Sequence, residues 1–130
     1  MTLNEGKVTA NIPAADLNRA RTFYQDVLGL TPSSELADVM LLYTTAGGTS
    51  FQVYVTEFAG QAGHTIAQWQ VEDLDSAVQD LRSKGVTFEQ YDMPDVQWSD
   101  GIASLGDMGR AAWFKDSEGN ILCIDEGMPT

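Results

Sequence analysis

Two periodicities alternate along this chain. From Leu17 to Leu28 the apolar residues Leu17, Ala20, Phe23, Tyr24, Val27 and Leu28 recur at helical spacing; Asp16 stands where an N-cap belongs, and Gly29 is placed to end the run. A second such run, Leu74, Ala77, Val78 and Leu81, opens after Asp73 and stops at Gly85. Around these helices lie short stretches with β-branched and aromatic residues: Lys7 to Ile12, Thr31 to Leu36, Val39 to Thr44, Ser50 to Val55, Thr65 to Val71 and Val86 to Tyr91. Each predicts a strand, the first closed by Pro13. The first half therefore reads β-α-β-β-β. The second half begins the same order again, with its helix cap and helix stop at almost the same interval from their counterparts.

The final segment, Ala111 to Glu126, consists of two apolar runs around Asp116-Ser117-Glu118-Gly119-Asn120, a cluster of turn formers that predicts a hairpin. Strand alternation then sorts the strands into two faces. Ala10, Ile12, Phe51, Val53, Val55, Ala67, Trp69, Val71, Leu122 and Ile124 share one parity and are all apolar, as a face packed on helices requires. The opposite parity carries Thr9, Asn11, Ser50, Gln52, Tyr54, Ile66, Gln68, Gln70, Cys123 and Asp125, the mixed surface of a wet ligand cup. Trp69 and Trp113, within strands, read as core or interface residues. Met93 to Gly109 has no counterpart in the first half, and a stretch of that length predicts a long loop of functional or poorly ordered kind.

Composition narrows the function. The chain has 130 residues, 43% hydrophobic and 20% charged, the balance of one globular domain rather than a disordered or fibrous protein. A net charge of −12, with the seven Lys and Arg scattered, argues against nucleic acid as a partner. No run reaches membrane-spanning length, and the N-terminus lacks a basic segment followed by an apolar core, so no membrane association and a cytoplasmic location are expected. Cys123 is the single cysteine, which excludes an internal disulfide and a cysteine-cluster metal site.

The segments DLNRARTFYQDVLGL, VEDLDSAV and WFKDSEGNILCID give the chain a recognisable likeness. It resembles the vicinal oxygen chelate superfamily, which includes glyoxalase I, extradiol dioxygenases and the bleomycin and mitomycin resistance proteins. The resemblance implies a single α+β domain, residues 1–130, made of two tandem βαβββ modules at about 5–58 and 62–127. These form a curved mixed sheet cup with helices outside. Metal-dependent members place His, Gln or Glu at four cup-facing positions, which by motif spacing fall here on Thr9, Gln52, Ile66 and Cys123. None is His, Asp or Glu, and Ile66 offers no lone pair, so neither a metal nor another cofactor is expected. His64, the only histidine, enters the cup if its strand is bulged or shifted; otherwise it is an exposed residue at the strand's start.

Thr9, Asn11, Gln52, Tyr54, Gln68 and Cys123 on the cup face, with Trp98 from the extra stretch, are the candidate ligand-binding residues. Trp98 either stacks on a planar ligand or anchors its loop. Cys123 reads as a small buried residue rather than a nucleophile, because no cation is predictable beside it. The expected function is non-catalytic binding of a planar or antibiotic-like small molecule, in the manner of the glyoxalase and bleomycin-resistance proteins. One alternative is a lyase, isomerase or dioxygenase with a displaced metal, or a metal-free acid-base catalyst using Tyr54, Glu89, Tyr91 or Asp125. A third is an interaction module without ligand. A homodimer is expected, because the sheets leave edges that a symmetric partner would cover.

Overall fold

The computed structural model describes residues 1–128. The two helical runs form helices α1 (Leu17–Asp26) and α2 (Leu74–Ser83), each entered through an extended aspartate whose carboxylate accepts a hydrogen bond from the first turn. Asp16 Oδ1 takes Arg19 N at 3.0 Å, and Asp73 Oδ1 takes Ser76 N at 3.1 Å. Leu17, Ala20 and Tyr24 form the buried stripe of α1; Leu74, Val78 and Leu81 form that of α2. No helix among the described residues is long and apolar enough to cross a membrane.

The strands are β1 (Ala10–Ala14), β2 (Ser34–Leu36), β3 (Met40–Thr44), β4 (Ser50–Val55), β5 (Thr65–Gln70), β6 (Phe88–Glu89), β7 (Gln97–Ser99), β8 (Ile102–Ser104), β9 (Arg110–Lys115) and β10 (Ile121–Glu126). They build two curved sheets, one ordered β1-β4-β3-β2 and the other β5-β10-β9-β8-β7 with β6 added on β9. In each half the first strand runs parallel to the last, β1 beside β4 and β5 beside β10, while the pairs between neighbouring strands are antiparallel. The α+β architecture of two repeated modules, helices on one face of each sheet, is thus the one the pattern predicts. Strand β1 differs in detail: it continues through Pro13, because as an edge strand it pairs only with β4 and tolerates the missing N–H.

One core serves both halves. Ile12, Leu41, Tyr43, Phe51 and Val53 pack with α1, and Ala112, Phe114, Leu122 and Ile124 with α2, in a single buried cluster. An edge-to-face contact between Phe51 and Trp69, centroids 5.6 Å apart, joins the two sheets within it. The turn between β9 and β10 adds a polar clamp. Asp116 accepts from Tyr24 Oη at 2.8 Å, and Glu118 accepts from the backbone of Ala15 and Asp16 and from Arg19, so the second module's hairpin holds the start of the first module's helix.

The stretch Met93 to Gly109 is not the open loop its length suggests. It carries the hairpin β7–β8, and Ala103 pairs with Ala111 so that the hairpin extends the second sheet. Asp100 (φ 52) and Gly101 (φ 80) make the two-residue connection between the paired residues Ser99 and Ile102. Asp-Gly between alternating apolar residues is the preferred sequence for such a turn, and it outweighs the Gly and Asp content that makes the stretch look irregular.

Candidate functional site

The sheet faces away from the helices are built row by row. On the first sheet Asn11, Gln52 and Leu42 stand side by side in register, and Pro13, Tyr54 and Met40 form the next row. Gln52 Nε2 donates to Asn11 Oδ1 at 3.2 Å, Thr9 sits half-buried just before β1, and Tyr54 is exposed. On the second sheet one row runs Gln68, Cys123, Trp113, Glu89, and its neighbour runs Gln70, Asp125, Ala111, Ala103, Trp98. The structure thus brings Asn11, Gln52 and Tyr54 together on one sheet, and Gln68, Cys123 and Trp98 on the other. Among the described residues no hydrogen bond joins the two groups.

The second sheet carries the richer surface. Trp98 and Trp113 lie with ring centroids 5.9 Å apart, and Tyr91 meets Trp113 edge-on at 6.0 Å. Beside this cluster is a cavity of about 240 Å³ lined by His64, Thr65, Tyr91, Met93, Trp113 and Ile121. A second, of about 420 Å³ and lined by Gln90, Asp92, Val96 and Trp98, shares Tyr91 and Met93 with the first. Trp113, expected in the core or at an interface, stands on the concave face and lines the smaller cavity. The signal was present in the hairpin: Trp113 pairs with Cys123 across β9 and β10, and directly opposed residues share a face. Trp69, by contrast, packs against the core. A further cavity of about 550 Å³ lies between the two sheets, with Ala10, Ser50 and Phe51 on one side and Ala67, Gln68, Trp69 and Gln70 on the other.

A register shift alters the donor set that motif spacing predicts. Ile121 pairs with Thr65 but Leu122 pairs with Ala67, so β5 is bulged at Ile66. Thr65 takes the concave position, where its Oγ1 accepts from Trp113 Nε1 at 3.1 Å, and Ile66 packs against the core. His64 stays exposed, with Nδ1 3.1 Å from the Thr65 carbonyl, yet it reaches the rim of the smaller cavity. The four positions now hold Thr9, Gln52, Thr65 and Cys123: two hydroxyls, an amide and a thiol. Burial, reinforced by the nearby Asp125 carboxylate, pushes the Cys123 thiol up to about 12, so it is a neutral group rather than a thiolate ligand or nucleophile. Residues of this kind do not suit the divalent ion of the metal-dependent relatives. Tyr91 is also held protonated, its pKa raised first by burial and then by Glu89, and its buried hydroxyl has no hydrogen-bond partner among the described residues.

The profile of the Glyoxalase/Bleomycin resistance protein/Dioxygenase superfamily matches residues 7–124. The chain belongs to that superfamily. Among solved structures, it is similar to the fosfomycin resistance protein FosX from Listeria monocytogenes, at 14% identity over 95% of this chain and 94% of that one, with a TM-score of 0.69. Lactoylglutathione lyase from Agrobacterium tumefaciens matches at 14% identity, 95% and 94% coverage and a TM-score of 0.70. TnmS3, an antibiotic binding protein from a Streptomyces species, matches at 16% identity, 98% and 99% coverage and a TM-score of 0.63. At these identities the likeness establishes the shared superfamily fold. No curated protein matches the chain.

Proposed function

We propose that this superfamily member binds a planar small molecule on the concave face of its second sheet, without a metal and without catalysing a reaction. The observation that carries the reading is the cleft of Tyr91, Trp98 and Trp113, whose rings border two adjoining cavities. Such rings offer area for stacking with few rotatable bonds. The donor set Thr9, Gln52, Thr65 and Cys123 favours binding over metal chemistry, and the structural neighbours include an antibiotic binding protein as well as enzymes. A homodimer completes the cup. Leu36 at 57%, Val39 at 50% and Tyr54 at 38% exposure leave apolar surface on and beside the first sheet's concave face, which a second copy would cover.

A thermal-shift screen of planar aromatic and antibiotic-like compounds, with elemental analysis of the untagged protein, tests the reading. The expected result is a stabilising compound that acts equally with and without a chelator. Binding that appears only after manganese, nickel, zinc or iron is added would overturn it.

A further inference from the structure

Asp125 lies in the concave face of the second sheet with 2% of its surface exposed. Its Oδ2 accepts from Gln68 Nε2 at 2.7 Å, but its Oδ1 is buried without a hydrogen-bond partner among the described residues. A buried carboxylate is costly unless both oxygens are engaged or a cation stands beside it. The same chain holds a fully engaged example: Glu118 takes hydrogen bonds from two backbone amides, Arg19 and Ser117. Asp125 has one neutral donor.

Among the described residues no lysine or arginine compensates it. Arg19, Arg21, Arg82, Lys84 and Arg110 are ion-paired with Glu118, Glu35, Asp100, Asp80 and the pair Asp75 and Glu126. Lys7 is exposed ahead of β1. Lys115 shares the concave parity but stands opposite Ile121, four residues along β10 from Asp125. That spacing is roughly 13 Å, beyond the screening distance of about 8 Å at physiological salt. In the other direction from Asp125, the row continues through Ala111 and Ala103, both fully buried, to Trp98, with Trp113 in the adjoining row. An acid with an unpartnered oxygen and two indoles therefore stand on one face of the sheet, with two buried alanines between Asp125 and Trp98. The chain's own tail reaches this side of the sheet: Gln68 Nε2 also lies 3.1 Å from Met128 Sδ, and the Met128 carbonyl accepts from Gln70 Nε2 at 2.6 Å.

We propose that the ligand is a planar cation whose protonated nitrogen donates to Asp125 Oδ1 while its ring lies against Trp98 and Trp113, the Met128 side chain leaving Gln68 as it enters. The proposal rests on the concave face being the ligand site and adds the charge and the recognising group. Indole faces attract cations, so both elements select the same chemistry. The overall charge of −12 draws cations to the protein in general, and Glu89 and Asp92 stand beside the aromatic cleft; Asp125 differs from them in being buried with an unpartnered oxygen.

Two dyes of similar shape test it by fluorescence titration: proflavine, a planar cation, and acridone, its neutral counterpart. The wild type binds proflavine about tenfold more tightly than acridone, the worth of a hydrogen bond to a charged group. Asp125→Asn removes that preference and leaves acridone binding unchanged. Asp107→Asn, at an exposed position in the turn Gly106–Met108, alters neither. Met128→Gly tightens proflavine binding severalfold and supplies a second test should Asp125→Asn fail to fold. Equal affinity of the two dyes, equal losses in the two aspartate variants, or unchanged proflavine binding in Met128→Gly overturns the proposal. Failure of both dyes to bind would overturn the planar-ligand reading as well, whereas acridone binding without preference overturns only the cation.

Discussion

Replacing Glu118 by glutamine probes the clamp between the two halves. Its carboxylate accepts from Ala15 N and Asp16 N at 2.9 Å each, from Arg19 Nε at 2.7 Å and Nη2 at 2.9 Å, and from Ser117 Oγ at 2.8 Å. Burial alone would raise its pKa; the Arg19 guanidinium, the Asp16 amide and the Ser117 hydroxyl prevail and bring it down to about 2. Against about 4.3 for an unfolded glutamate, that difference is worth roughly 3 kcal/mol. Arg19 is 53% exposed, so solvent screens part of its attraction, and Glu118→Gln, which keeps the shape and one acceptor, is expected to cost about 2 kcal/mol at pH 7. For a chain of this size that is on the order of 6–10 °C in Tm. Because the folded pKa is the lower one, the contribution is complete above the unfolded value and is lost as pH falls through about 4 toward 2. Urea unfolding followed by far-UV circular dichroism at pH 7 and pH 3 measures it, and the gap between wild type and variant should have roughly halved at pH 3. A gap below about 0.5 kcal/mol at pH 7, or one that does not shrink in acid, would refute the reasoning.

Three further outcomes are expected. Cys123, neutral and 1% exposed, should resist iodoacetamide at pH 8 in the folded protein and react once urea unfolds it; rapid alkylation of the native state would place a thiolate in the cup. Trp98→Ala should weaken binding of a planar ligand about tenfold and, because the indole packs on Trp113, also lower Tm by a few degrees; unchanged affinity would make Trp98 a structural anchor only. Sedimentation equilibrium at micromolar concentration should give twice the 14.1 kDa chain mass, and a clean monomer would contradict the shared cup.

Helices and most strands were legible because their signals are local. Asp16 and Asp73 cap as their side chains dictate, and the apolar parity of Ile12, Val53, Leu122 and Ile124 leaves each strand one way to face the helices. The site was less legible, for two reasons of register. Motif counting assumes an unbroken strand, and the bulge at Ile66 turned that residue into the core and Thr65 into the concave face. The stretch from Met93 to Gly109 was judged by its length and polar content, although Ser99-Asp100-Gly101-Ile102 already specifies a tight hairpin. Trp113 reads as a core or interface residue from its place in a strand; only its pairing with Cys123 assigns it to the concave face. The orphaned oxygen of Asp125 could not be read in advance, since whether an acid finds partners depends on how distant segments close over it.

The three tryptophans supply the most direct test of the account. Trp98 and Trp113 belong to the aromatic cleft, whereas Trp69 packs on the opposite side of its sheet and lines the cavity between the two sheets. In a ¹⁵N-resolved NMR titration with proflavine, or with a compound from the thermal-shift screen, each indole N–H reports separately. The account predicts large, saturable shifts for Trp98 and Trp113 with Trp69 nearly still. Shifts centred on Trp69, with the other two unmoved, would contradict it and move the binding site to the gap between the sheets.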